Sequence, residues 1–123
     1  MAKVEDYELV DPILLVLDRA ATGRSRGTAR GFLTAYQIFN RFEPDLQARL
    51  RREYGPKSGK RAGQNFSPAS RVAQVAAGLR RKGVTQEYFD TGGLQFDVSQ
   101  SAGVEAGYGL CAIFRRKRGR ARR

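Results

Sequence analysis

The sequence predicts an α+β fold in which four short helices are followed by a small three-stranded antiparallel sheet. Apolar residues recur at helical spacing as far as Leu79 and at a period of two beyond Gly83. A capping residue or a proline stands at the head of each helical stretch. At 123 residues and 41% hydrophobic content the chain can bury one modest core and not two.

Residues 1–10 read as a frayed acidic arm, 11–114 as one domain, and 115–123 as a disordered basic tail. The first helix is expected to begin at Asp11-Pro12, an N-cap acceptor followed by proline, and to carry Ile13, Leu14, Val16, Leu17 and Ala20. The Gly/Arg/Ser-rich stretch 22–31 reads as a loop. Thr34 and Gln37 then fit a capping box, and Ala35, Ile38, Phe39 and Phe42 form the stripe of a second helix. Glu43-Pro44 starts a third, with Leu46, Leu50 and Tyr54 on one face until Gly55. GPKSGKRAGQ, residues 55–64, looks like a phosphate loop but fails as one. Arg61 stands where Ser or Thr is needed, and a helix precedes it in place of a strand. It is better read as a basic loop.

The fourth helix is expected over 67–82, from the Ser67-Pro68 cap to Gly83, with Arg80, Arg81 and Lys82 at the negative end of its dipole. Val72, Val75, Ala76 and Leu79 share its core face. Ser70, Arg71, Gln74 and Arg81 then fall on the opposite one. Leu94, Phe96 and Val98 alternate with polar residues, and Gly92-Gly93 suggests a two-residue turn back to Tyr88 and Phe89. Residues 99–107 read as a loop, and 108–114 as the third strand.

Composition narrows the function. The single cysteine, Cys111, forbids an intramolecular disulfide and a cysteine-based metal site. The chain has no histidine, so the commonest general base and metal ligand are both missing, and neither metal nor cofactor is expected. The aliphatic run 13–17 is far too short to cross a bilayer, and an acidic start replaces the basic region of a signal peptide. A cytoplasmic protein is expected. Net charge is +11 with a pI near 10.7, and the charge is segregated. Ten basic residues and one acid lie within 49–82, and seven basic residues and no acid within 115–123. Codon bias can enrich arginine but does not separate the signs, so the pattern points to a polyanion, most simply nucleic acid.

Arginine and glutamine can make bidentate contacts with guanine and adenine edges, which makes the outer face of the fourth helix the candidate reader. An ordinary solvated helix face has the same composition. The candidate nucleic-acid contacts are Ser70, Arg71, Gln74 and Arg81, with Lys57, Lys60 and Arg61 in the loop and Arg115, Arg116, Lys117 and Arg118 in the tail. Glu87, Asp90 and Asp97 make the hairpin 87–97 acidic, better suited to packing or to a protein partner than to phosphate. Helices followed at once by a hairpin resemble a winged helix-turn-helix domain.

FLTAYQIFNRF, FSPASRVAQV, YFDTGGLQFDV and GYGLCAIF, spread over residues 30–115, resemble a family of small proteins of bacterial integrative and conjugative elements. The resemblance implies a role in mobile-element biology and brings no catalytic residues with it. The expectation is a non-enzymatic, winged-helix-like nucleic-acid-binding protein with duplex DNA favoured. The rival is a protein–protein adaptor or inhibitor of a nucleic-acid-handling complex. A small basic ribonuclease using Arg, Lys and Tyr is a lesser alternative, because tyrosines at apolar spacing more often pack than react.

Overall fold

The structure, a computed structural model, describes residues 4–21, 30–54, 67–98, 101–104 (backbone only) and 110–117. Its order is α1 (Asp6–Asp18), β1 (Leu33–Thr34), α2 (Ala35–Asn40), α3 (Pro44–Tyr54), α4 (Pro68–Ala77), a 3-10 turn (Arg80–Lys82), β2 (Val84–Asp90), β3 (Phe96–Val98), β4 (Ser101–Val104) and β5 (Leu110–Arg116). The fold is α+β, with four α-helices and a three-stranded antiparallel sheet among the described residues.

The first helix starts earlier than Asp11-Pro12 suggests. The Glu5 N–H donates to Glu8 Oε2 at 2.8 Å, and the acids Asp6 and Glu8 occupy the positive end of the helix dipole. Pro12 therefore sits inside α1, where a proline costs about 3 kcal/mol. Leu9, Ile13, Val16 and Leu17 offset it: they form an i, i+4, i+7, i+8 stripe, all buried, each worth about 1.5–3 kcal/mol. Much of the supposed arm is thus part of the domain. Val4 is 2% exposed, and its N–H donates to Glu53 Oε2 of α3 at 2.9 Å.

The capping box at α2 forms as read. Gln37 N–H donates to Thr34 Oγ1 at 3.1 Å, and Thr34 N–H donates to Gln37 Oε1 at 2.8 Å. Helix α3 runs from Pro44 with Leu46 and Leu50 inward. On that face Gln47 is buried too, and its Nε2 donates to the carbonyls of Phe39, Asn40 and Phe42 at 3.0–3.1 Å. A side chain of α3 thus satisfies the open C-terminal end of α2. Phe39, Phe114, Leu9, Ile13, Leu17, Ile38, Leu50 and Val72 form the centre of the core.

Strand β5 lies in the middle of the main sheet, in the order β1-β5-β2, with Leu33 opposite Phe114 and seven residues of β2 paired from Val84↔Arg116 to Asp90↔Leu110. The expected hairpin does not form. Phe96–Val98 instead pairs with Ser101–Val104, inside the stretch read as a loop. Turn geometry accounts for this. Leu94 N–H donates to Thr91 O at 2.8 Å, and Gly93 has φ +80 while Gly92 is not left-handed. A tight hairpin needs a left-handed residue at the first central position, or at both, to match strand twist. Here the strands splay, and β3 crosses to α2, where Phe96 stacks on Tyr36 at 4.9 Å and Asn40 Nδ2 donates to Asp97 O at 2.7 Å.

The basic tail starts later than its charge pattern predicts. Arg115 and Arg116 belong to β5, and Lys117 N–H donates to Gly83 O at 2.9 Å. The start of the supposed disordered segment 115–123 is ladder. No helix of the described residues is long and apolar enough to cross a membrane.

Candidate nucleic-acid interface

Helix α4 is set by its ends. Ser67 Oγ accepts from Ser70 N–H at 3.1 Å, and Ser70 Oγ accepts from Ser67 N–H at 2.6 Å while donating to Ser67 O at 2.9 Å. The hydroxyl of Ser70 is therefore committed to the cap. Pro68 fills the first turn, and Val72, Val75 and Ala76 are buried as read. The helix stops at Ala77 instead of running to Lys82. Gly78 carries the entropic penalty of about 1 kcal/mol that glycine brings to a helix, and the backbone tightens into the 3-10 turn. Gly83 closes the segment at φ +86.

The four expected contact residues of α4 part company. Gln74 is exposed, as are Ala77 and Gly78 beside it. Arg81 is exposed but sits on the 3-10 turn, past the helix. Arg71 is folded back. Its guanidinium pairs with Asp6 in the first turn of α1 and lies 5.9 Å from the Tyr54 ring centroid, leaving the side chain 22% exposed. Its Nε is buried with no hydrogen-bond partner. Burial raises the Tyr54 pKa above its ordinary value, partly offset by the Arg71 charge.

Two tail cations are also engaged. Arg115 lies over the Phe32 ring at 4.5 Å. Arg116 bridges Asp18 at 2.8 Å and donates from Nε to Lys82 O at 3.0 Å. Asp18 lies 3.5 Å from Arg30 as well. Lys117 is exposed. Lys57, Lys60, Arg61 and Arg118 lie outside the described residues.

What the fold assembles is a different cluster. The pairing Val84↔Arg116, together with Lys117 on Gly83, brings the end of β5 beside the 3-10 turn. Arg80, Arg81, Lys82 and Lys117 are all exposed there. In the sequence Arg81 and Lys117 stand in separate segments, and Arg80 and Lys82 read only as partners of the helix dipole. Adjacency in the RRK run was the one signal for the latter two; nothing local joins them to Lys117. Meanwhile the acids of α1 neutralise other cations: Asp6 pairs with Arg71, Glu8 with Arg49 at 3.2 Å, and Asp18 with Arg30 and Arg116. The Glu8 pKa is lowered, first by the Glu5 N–H it accepts and further by Arg49.

Burial pushes the Cys111 thiol up to about 11 and the Tyr36 hydroxyl up to about 12, so neither ionises readily at neutral pH. Comparison with protein-family models, with curated proteins and with solved structures returned no match.

Proposed function

We propose that this chain is a non-enzymatic nucleic-acid-binding protein of winged-helix type that favours duplex DNA and serves a bacterial mobile element. The observation that carries the reading is the exposed cluster Arg80, Arg81, Lys82 and Lys117, which meets at the end of α4 from two distant parts of the chain. Four more arginines follow Lys117 in the sequence. Connectivity supports the winged-helix assignment: a short strand between α1 and α2, a helix followed through one 3-10 turn by β2, and a sheet in the order β1-β5-β2. Phosphate contact is the role of the cluster, and base reading falls to Gln74 on the outer face of α4.

Fluorescence anisotropy against random duplex, single-stranded DNA and RNA at several salt concentrations tests this. Four engaged cations contribute a slope of roughly −3 to −4 in log K against log salt, at about 0.9 per phosphate. Changing Arg80, Arg81, Lys82 and Lys117 together to Glu should abolish that contribution with the fold intact by circular dichroism. An unchanged slope would overturn the proposal. Gln74→Ala should weaken a selected duplex by about 1–3 kcal/mol relative to random DNA.

A further inference from the structure

Strand β2 is an edge strand, and its outer side is open among the described residues. The Lys117–Gly83 hydrogen bond fixes the phase of the ladder. Antiparallel alternation then points the N–H and C=O of Thr85, Glu87 and Phe89 at β5, and those of Gln86 and Tyr88 outward. Val84 N–H is already satisfied by Leu79 O at 3.2 Å. Natural edges are blunted by proline, lysine, a bulge or a short strand. This one has seven residues in unbroken register with no proline and no lysine, and its only charged side chains are Glu87 and Asp90.

A groove of about 570 Å³ runs beside the edge, between β2 and the end of α4. Ala76 and Ala77 form its helical wall, Thr85 and Gln86 its strand wall, and Arg80 and Lys117 its charged end. At the far end of β2, Tyr88 and Leu110 are 65% and 55% exposed and stand on the same face, diagonal across β2 and β5. An open ladder, a helical wall and side-chain subsites of two kinds are what strand addition requires.

We infer that β2 accepts an extended, acidic peptide segment of another protein as an added strand, seated between β2 and α4. Charge selects the occupant: two cations face one acid, Glu87, in the groove, and the net charge of +11 opposes a second copy of this chain. Gln86 and Tyr88 supply the main-chain hydrogen bonds, Arg80 and Lys117 take the carboxylates, and Tyr88 with Leu110 takes an apolar side chain. The inference rests on the open ladder of β2 and shares Arg80 and Lys117 with the proposed phosphate cluster, so peptide and duplex would compete at that end of the groove.

The test is amide exchange by NMR on the full chain, titrated with a short synthetic peptide alternating valine and glutamate and, separately, with random duplex DNA. Peptide should slow exchange of the Gln86 and Tyr88 amides. N-methylation of one alternate set of peptide amides should weaken affinity by roughly tenfold, and methylation of the other set should leave it unchanged. Arg80→Glu with Lys117→Glu should also weaken peptide binding. Three outcomes would overturn the inference: no protection of these amides by peptide, equal effects of the two methylation sets, or protection produced by duplex or by raised protein concentration in place of peptide.

Discussion

Arg71→Ala separates a structural arginine from a base-reading one. Truncation removes two methylene groups from a side chain that is 22% exposed; at about 0.8 kcal/mol per buried methylene this is at most about 1.5 kcal/mol. The ion pair adds less than its contact suggests, because Asp6 is 67% exposed and such pairs give about 0.2–1 kcal/mol. The contact with Tyr54, near the outer limit for a cation over a ring, adds about 0.5 kcal/mol. Against these, the variant removes a buried, unpartnered Nε, which returns about 1 kcal/mol. The net loss is about 1–2 kcal/mol, a fall in Tm of roughly 5–10 °C for a chain of this size. Urea unfolding of the parent, Arg71→Ala, Asp6→Asn and the double variant measures it, and the cycle should assign no more than about 1 kcal/mol to the pair. Unchanged stability together with loss of duplex selectivity would show that Arg71 is free to read bases, and the packing argument would fail.

Gln47→Met keeps the volume but removes the donor that satisfies three carbonyls at the end of α2, so urea unfolding should register a loss of about 1–3 kcal/mol. At Gly83 the space is open, since a Cβ would meet nothing closer than 3.9 Å, and the penalty is backbone alone. Gly83→Ala should therefore cost about 1–2 kcal/mol, and a neutral result would mean that the φ of +86 is not kept. Alkaline titration tests the buried acids. Cys111 and Tyr36 ionise at 9.0 and 10.0 when exposed and at about 11 and about 12 in the fold, so their stabilisation is complete below about pH 9 and is lost as pH climbs toward 12. Denaturation midpoints at stepped pH should fall across that window, less steeply for Tyr36→Phe; a flat profile would contradict burial of both groups.

Local chemistry was legible wherever one hydrogen bond or one dihedral decided the outcome. Thr34 with Gln37, Pro44 and Ser67-Pro68 each mark a boundary through their own side chain or backbone, and each helix starts there; Gly83 ends the 3-10 turn, while α4 itself stops earlier, at Ala77. Asp11-Pro12 misled because its cap-like pattern is equally compatible with a helix interior; the buried stripe from Leu9 outweighs the proline. The Gly92-Gly93 pair was ambiguous in handedness, and the strand order hinged on which glycine turned left-handed. Most of the interface was illegible for a different reason. Whether Arg71 faces a groove or Asp6, and whether Arg116 is free or held by Asp18, depends on partners more than 60 positions away. A charge census records such residues as available when the fold has already neutralised them.

The place of β5 in the sheet also has a kinetic meaning. Both β1 and β2 hydrogen-bond to β5, and Leu33 must wait for Phe114. The helices are local and can form as the chain lengthens, whereas the sheet and the slot that Phe114 fills have no partner until residues 110–116 have been made. Until then β2 is open on both sides, the condition in which strands associate with the wrong neighbour. Assembly is therefore expected to be slower than in a helical bundle of similar size, with its rate set by one long-range closure. During synthesis, β1 and β2 can meet in one sheet only after β5 has left the ribosome.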